Sequence, residues 1–203
     1  MKKILILLLA AVVSITAVEA QQLSKRELKA QKKALQKEVA GYVAEGWKVL
    51  PGELTIGEQI TRSKSFKNAV ENDEPKYVVA QVTAVGQTYK AALFAAQNGA
   101  KVQAANALKG QLEQVTKTSL ANVEDANKEA ISVDKVVSAA MERVSASLGQ
   151  GIILTTMHRD VPQNGNVEVV FGCAYSYKKI KELAVEAQKK SLKQEIDELH
   201  KKL

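Results

Sequence analysis

Few side chains in this 203-residue sequence could act as a nucleophile, a general base or a metal ligand. Cys173 is the only cysteine, and His158 and His200 are the only histidines. A thiol becomes a nucleophile when a base lies within hydrogen-bond reach, so a Cys173–His158 dyad on neighbouring strands is the arrangement to test. Cys173 alternates with Phe171 and Tyr175, however, on a face that reads as core. There a cysteine behaves as a small hydrophobe with a suppressed thiolate. A serine triad would depend on His158, and no Gly-x-Ser-x-Gly elbow precedes it. Neither histidine has a second histidine, a cysteine or a carboxylate at the spacing a zinc site uses. The acidic residues fall on charged helical faces, so no acid–base pair stands out. Gly86 precedes a helix without a G-x-G-x-x-G or G-K-[ST] pattern, which reads as a tight turn rather than a phosphate cradle. Trp47, the single tryptophan, could line a pocket, but its large area is expected to anchor an arm to a core. No catalytic, cofactor-binding or metal-ligating residue is assigned, and no cofactor is expected.

The elements that must position these residues follow from pattern. Ser24-Lys25-Arg26-Glu27 is a capping box ahead of Leu28, Leu35, Val39 and Tyr42, predicting an amphipathic helix over 25–45 that stops at Gly46. Thr55-Ile56-Gly57-Glu58 repeats the motif for a short helix carrying Ile56, Ile60 and Phe66, broken by Asn72-Asp73-Glu74-Pro75. Tyr77, Val78, Val79 and Val82 give a β-branched strand over 76–84. An alanine-dense helix follows, with Tyr89, Ala92, Leu93, Ala96, Ala100, Ala104, Ala107, Leu108 and Leu112 on one face. Gly99 and Gly110 are places where it would bend or pause. Residues 119–130 read as a loop. Val133, Val137, Ala140, Met141, Val144 and Leu148 space a second core helix. Strands over 152–159 and 167–176 are joined through Gln163-Asn164-Gly165-Asn166, where Asn-Gly accepts positive φ at both central positions. Val167, Val169, Phe171, Cys173 and Tyr175 are expected to face the helices. A final charged helix spans 177–203, with a stripe of Leu192, Ile196, Leu199 and Leu203. Its Glu186–Lys190, Asp197–Lys201 and Glu198–Lys202 pairs are favourably spaced. The stripe is too narrow to stand alone: either the two terminal helices pack on each other within the chain, the expected arrangement, or one of them pairs with another subunit.

Compartment comes from the first twenty residues. Lys2 and Lys3 precede an unbroken apolar run from Ile4 to Val13, and Val18-Glu19-Ala20 ends in small or aliphatic side chains at the positions a signal peptidase probes. A membrane span needs about 20 apolar residues, more than this run supplies. A secretion signal cleaved after Ala20 is therefore expected, with a periplasmic or secreted product. No cysteine sits at the cleavage site to take a lipid. The whole sequence carries a formal +7, and losing Lys2, Lys3 and Glu19 leaves +6. Basic residues are interleaved with acidic ones and the product is exported, so nucleic acid is not an expected partner, while weak attraction to anionic envelope polymers is. One cysteine leaves no intramolecular disulfide to form, so stability must come from packing.

The words Tyr77-Val78-Val79, Ala84-Val85-Gly86, the alanine-rich helix, the second helix and the hairpin ending Val169-Val170-Phe171 resemble the conserved lipoprotein antigen family of Helicobacter and the N-terminal domain of flagellar assembly protein T. Glu45-Gly46-Trp47-Lys48, Pro51-Gly52 and Gln59 resemble exported Bacteroidetes proteins. The resemblance covers about residues 42–185. It implies a compact α+β domain, helices over a small antiparallel sheet, used in envelope association or assembly. The chain departs from the lipoprotein members in lacking the lipidated cysteine.

Together these readings predict an α+β fold: a small, largely antiparallel sheet covered by two core helices, with N- and C-terminal helical extensions. The expected divisions are a signal peptide (1–20), a helical N-terminal arm (21–75), an α+β core (76–176) and a charged C-terminal helix (177–203), with no transmembrane segment after cleavage. The expected function is a non-enzymatic exported envelope protein with a protein or envelope-polymer partner. The alternative is a small-ligand or lipid carrier with a pocket between the alanine-rich helix and the sheet.

Overall fold

Valine-rich segments separated by turn residues must pair somewhere, and in the computed structural model, which describes residues 25–121 and 131–201, they pair with one another. The chain runs α1 (Lys25–Ala44), α2 (Ile56–Lys67), β1 (Val70–Glu71), β2 (Glu74–Pro75), β3 (Tyr77–Gly86), α3 (Tyr89–Asn106), α4 (Lys109–Ala121), α5 (Val133–Ser147), β4 (Ile152–Val161), β5 (Asn166–Ser176) and α6 (Tyr177–His200). The main sheet has the order β3-β5-β4 with both pairings antiparallel, and β1 and β2 form a two-stranded ribbon. The fold is α+β, as the sequence predicts. The expected signal peptide (1–20), Ser24, the 122–130 part of the expected loop, Lys202 and Leu203 lie outside the described residues; residues 119–121 end α4.

Phe171, Cys173 and Tyr175 point at the helices as expected, joining Ala80 and the buried alanines of α3 in one cluster with α5 and the start of α6. Ala92, Ala96, Ala100 and Ala104 are fully buried. Small side chains bring α3 down onto β3, and a methyl added at Gly99 would sit 3.0 Å from Val82 Cγ1. The opposite face of the sheet is covered too. Met157 and Val170 pack against Trp47, Ile56 and Ile60, with Leu35, Val39 and Tyr42 of α1 behind them. The sheet is therefore a middle layer, which is why β5 is buried along most of its length.

Three expectations need correction. The terminal helices do not pack on each other: Leu192, Ile196 and Leu199 of α6 meet Leu120, Ile131 and Val136, while α1 joins the cluster on the other face. Each stripe found a nearer apolar surface within the chain. Nor is all of α6 an extension, because Tyr177, Ile180, Ala184 and Ala187 belong to the central core. The positive-φ pair also falls elsewhere. Asn72 and Asp73 both have positive φ, at 52° and 62°, and turn the β1–β2 ribbon, the pattern of a two-residue hairpin. At the β4–β5 connection only Gly165 does (68°), because that loop spans four residues.

Candidate functional site

Cys173 lies mid-strand on β5, opposite Ala80 on one side and Ile153 on the other, with no exposed surface. Burial pushes its thiol up from the ordinary value, against smaller opposing effects from the neighbouring Tyr175 hydroxyl and Lys101. Burial likewise raises the Tyr175 phenol. A raised thiol pKa leaves little thiolate at neutral pH, and thiolate is the nucleophile.

His158 sits on β4 opposite Val169, four positions along β5 from Cys173. At about 3.3 Å per residue the two lie roughly 13 Å apart along the sheet, too far for proton transfer. The structure does not bring the dyad together. The His158 ring instead meets Tyr89 edge-on at 5.4 Å, its buried Nδ1 finds no hydrogen-bond partner among the described residues, and its backbone exchanges two hydrogen bonds with Lys48. His200 ends α6, a 24-residue helix, about 35 Å from its start at 1.5 Å per residue. Among the described residues no three His, Cys, Asp or Glu side chains gather to hold a metal, and no helix is long and apolar enough to cross a membrane. Gly86 makes the tight β3–α3 turn: a methyl there would lie 2.6 Å from the Ala92 amide nitrogen.

Trp47 is an anchor. It is 6% exposed, donates from Nε1 to Glu45 Oε2 at 3.1 Å, and carries the Arg159 guanidinium 4.5 Å above its ring. Arg159 in turn donates to Glu168 Oε2 at 2.6 Å across the β4–β5 pair. The next residue, Lys48, forms an isolated antiparallel bridge with His158, so the arm adds a short stub of strand to the outer side of β4.

Gln59 escaped the sequence reading as a structural residue. It is 3% exposed; its Nε2 donates to Thr156 O (3.3 Å) and Leu54 O (2.8 Å), while its Oε1 accepts from Thr156 N (2.8 Å). The side-chain amide thus fills the place of a neighbouring strand's peptide. A signal was present: Gln59 lies with Ile56 and Ile60 on one helical face, where a polar residue must find a buried partner.

Two exposed features remain. Every residue from Arg26 to Ala34 on α1 is exposed, and α1 carries six basic residues against two acidic ones. Beside it an open groove of about 540 Å³ runs between α1 and α2, lined by Leu35, Gly57, Thr61, Arg62 and Phe66 among others. Arg62 stands 6.0 Å from the Phe66 ring. The groove thus sets the Arg62 guanidinium and the Glu58 carboxylate beside the apolar Leu35 and Phe66, with the basic face of α1 next to it.

Compared with known protein families, with curated proteins and with solved structures, the chain matches none.

Proposed function

We propose that this is an exported, non-enzymatic envelope protein that associates with anionic envelope components or with proteins, and that α1 makes the contact. The observation that carries the reading is the exposed, predominantly basic N-terminal half of α1 beside the α1–α2 groove. The signal-like start at Lys2 and Lys3 with the run Ile4 to Val13 supports export. The order of strand, alanine-rich helix, second helix and hairpin supports a kinship of layout with the Helicobacter conserved lipoprotein antigen family. The carrier reading needs room between α3 and the sheet, and that space is taken up by packed alanines and by Val82 against Gly99.

Cosedimentation with vesicles tests the proposal. The protein is expected to bind vesicles rich in anionic lipid, to bind neutral ones weakly, and to release as salt shortens the screening length. Replacing Lys29, Lys32 and Lys33 with glutamine is expected to lose most of that binding while leaving the fold intact. Equal, salt-insensitive binding to both vesicle types, together with empty pull-downs from envelope extracts, would remove its support. A thiol reagent that modified native Cys173 rapidly would reopen the enzymatic reading.

A further inference from the structure

The two outer strands of the sheet are left in different states. Backbone groups of β3 point alternately to β5 and away from it. Lys76 O accepts from Tyr177 N on the β5 side, and Gln81 N donates outward to Gln103 Oε1 at 2.8 Å. The outward set is therefore Tyr77, Val79, Gln81, Thr83 and Val85. Among the described residues nothing pairs with the outward groups of Val79, Thr83 or Val85. Gln81, Thr83 and Val85 are exposed, Val85 at 51%. Sheet edges are usually blunted by charge, proline, a bulge or shortness. β3 has ten residues with no charged side chain, no proline and an unbroken register with β5.

We propose that this edge of β3 is the docking surface for a second copy of the chain, paired antiparallel about a two-fold axis at Gln81 to give one continuous six-stranded sheet. Three features fit a second copy. First, the five outward positions are symmetric about Gln81, so a two-fold there places Val79 opposite the partner's Thr83 and Tyr77 opposite the partner's Val85. Every outward group then finds a partner, as antiparallel pairing requires. Second, β3 is uncharged, so self-pairing puts no like charges opposite each other.

Third, the flanking helix permits it. Ala91, Ala95, Gly99 and Gln103 form one ridge of α3 at four-residue spacing, and Gln103 at the strand edge with Gly99 against Val82 sets that ridge over the outer side of β3. The two-fold brings the two α3 helices side by side and antiparallel, about 8–10 Å apart, the interaxial distance that small side chains allow. Ala91 and Ala95 are exposed in the single chain, and the helix's lysines, Lys90 and Lys101, lie off this ridge. In the pair Gln103 swings away and the partner strand takes over its acceptor role.

Sedimentation equilibrium on the purified protein tests this. A reversible monomer–dimer equilibrium is expected, with slowed amide exchange at Val79, Thr83 and Val85 in the dimer. Gln81→Lys sets two like charges opposite each other and is expected to weaken the dimer at least tenfold, less so at high salt. Thr83→Pro removes only an outward donor and is expected to give a monomer; the circular dichroism of both variants reports whether the monomer still folds. Gln81→Cys is expected to cross-link to itself on oxidation, because hydrogen-bonded antiparallel partners lie about 5.5 Å apart at Cα, within disulfide range. A monomer at every concentration, a dimer that survives both folded variants, a dimer in which Gln81→Cys fails to cross-link, or an edge occupied only by another protein's strand would each overturn the proposal.

Discussion

The outer sides of β4 and β3 pose the same problem and receive different answers. On β4 the two peptides in the middle of the strand are closed by the arm: Lys48 pairs with His158 through its backbone, and Gln59 pairs with Thr156 through its side chain. Arg159, Asp160 and a register shift between Ile153 and Thr155 add the usual protections of an edge. On β3 a single glutamine, Gln103, holds a single peptide, Gln81. The two glutamines do the same chemistry in opposite settings. Gln59 is buried beside Ile56 and Ile60, so releasing it would strand polar groups away from water. Gln103 is exposed, and water can replace it. One edge is sealed by the folding of the arm, and the other is closed by a latch that opens at small cost.

Breaking the seal should cost most. Trp47→Ala removes the side chain that anchors the Lys48 stub, and is expected to destabilise the protein by about 3–5 kcal/mol, read as a lower urea midpoint. The variant should also expose β4 and self-associate, which light scattering would register. Gln59→Leu keeps the volume but orphans the outward groups of Thr156, for a loss of about 1–3 kcal/mol. The Thr156 amide should then exchange much faster while those of β5 stay protected. A Gln59→Leu protein as stable as the parent would mean the edge was never sealed by that amide.

How much of this was legible in the sequence depends on the range of the interaction. The capping box at Thr55 and Glu58, the turn at Gly86 and the helix-facing set Phe171, Cys173 and Tyr175 are written in residues a few positions apart, and all are found. Glu186 and Lys190 pair at 2.7 Å as their spacing predicts. Glu198 meets Lys135 at 3.3 Å across the α5–α6 contact, a partner 63 positions away that its spacing does not announce, and its expected partner Lys202 lies outside the described residues. The same reach misled the reading of the terminal helices, whose periodicity gave the apolar faces but not what would lie against them. The break between α3 and α4 falls at Ala107 and Leu108, before Gly110, because Leu108 turns into the core there. Gln59 and Thr156 are 97 positions apart, and no local pattern links them. The exclusion of a Cys173–His158 dyad needed the β4–β5 register, which a one-residue change would have altered.

Thr55→Ala is a milder test of the same seal, since it loosens the helix that presents Gln59. The Thr55 hydroxyl accepts from Glu58 N at 3.3 Å, and Thr55 N donates to the Glu58 carboxylate at 2.8 Å. Losing the cap is expected to cost about 1 kcal/mol at neutral pH. The Thr55 hydroxyl, and then its amide, hold the Glu58 carboxyl below its ordinary 4.5. A carboxyl lowered in the folded state contributes stability that is present above its unfolded pKa and is lost as pH falls through the folded one. The gap between parent and variant should therefore narrow below about pH 4.5. A gap that stays constant from pH 7 to pH 3 would assign the loss to the hydroxyl's bond with the Glu58 amide and not to the Glu58 carboxylate.

Gln103→Ala has the smallest expected effect and the sharpest sign. In the single chain it removes one exposed hydrogen bond, a loss of about 0.5 kcal/mol. In the paired state that bond is already gone, so the variant should dimerise more tightly, by roughly twofold for each latch released. Stability of the monomer and affinity of the pair are thus expected to move in opposite directions under one substitution. Gln59→Leu cannot do this on the other edge, because the arm that covers β4 stays in place around the lost amide. If Gln103→Ala weakened the pair, the Gln103–Gln81 bond would not be a latch that pairing must open.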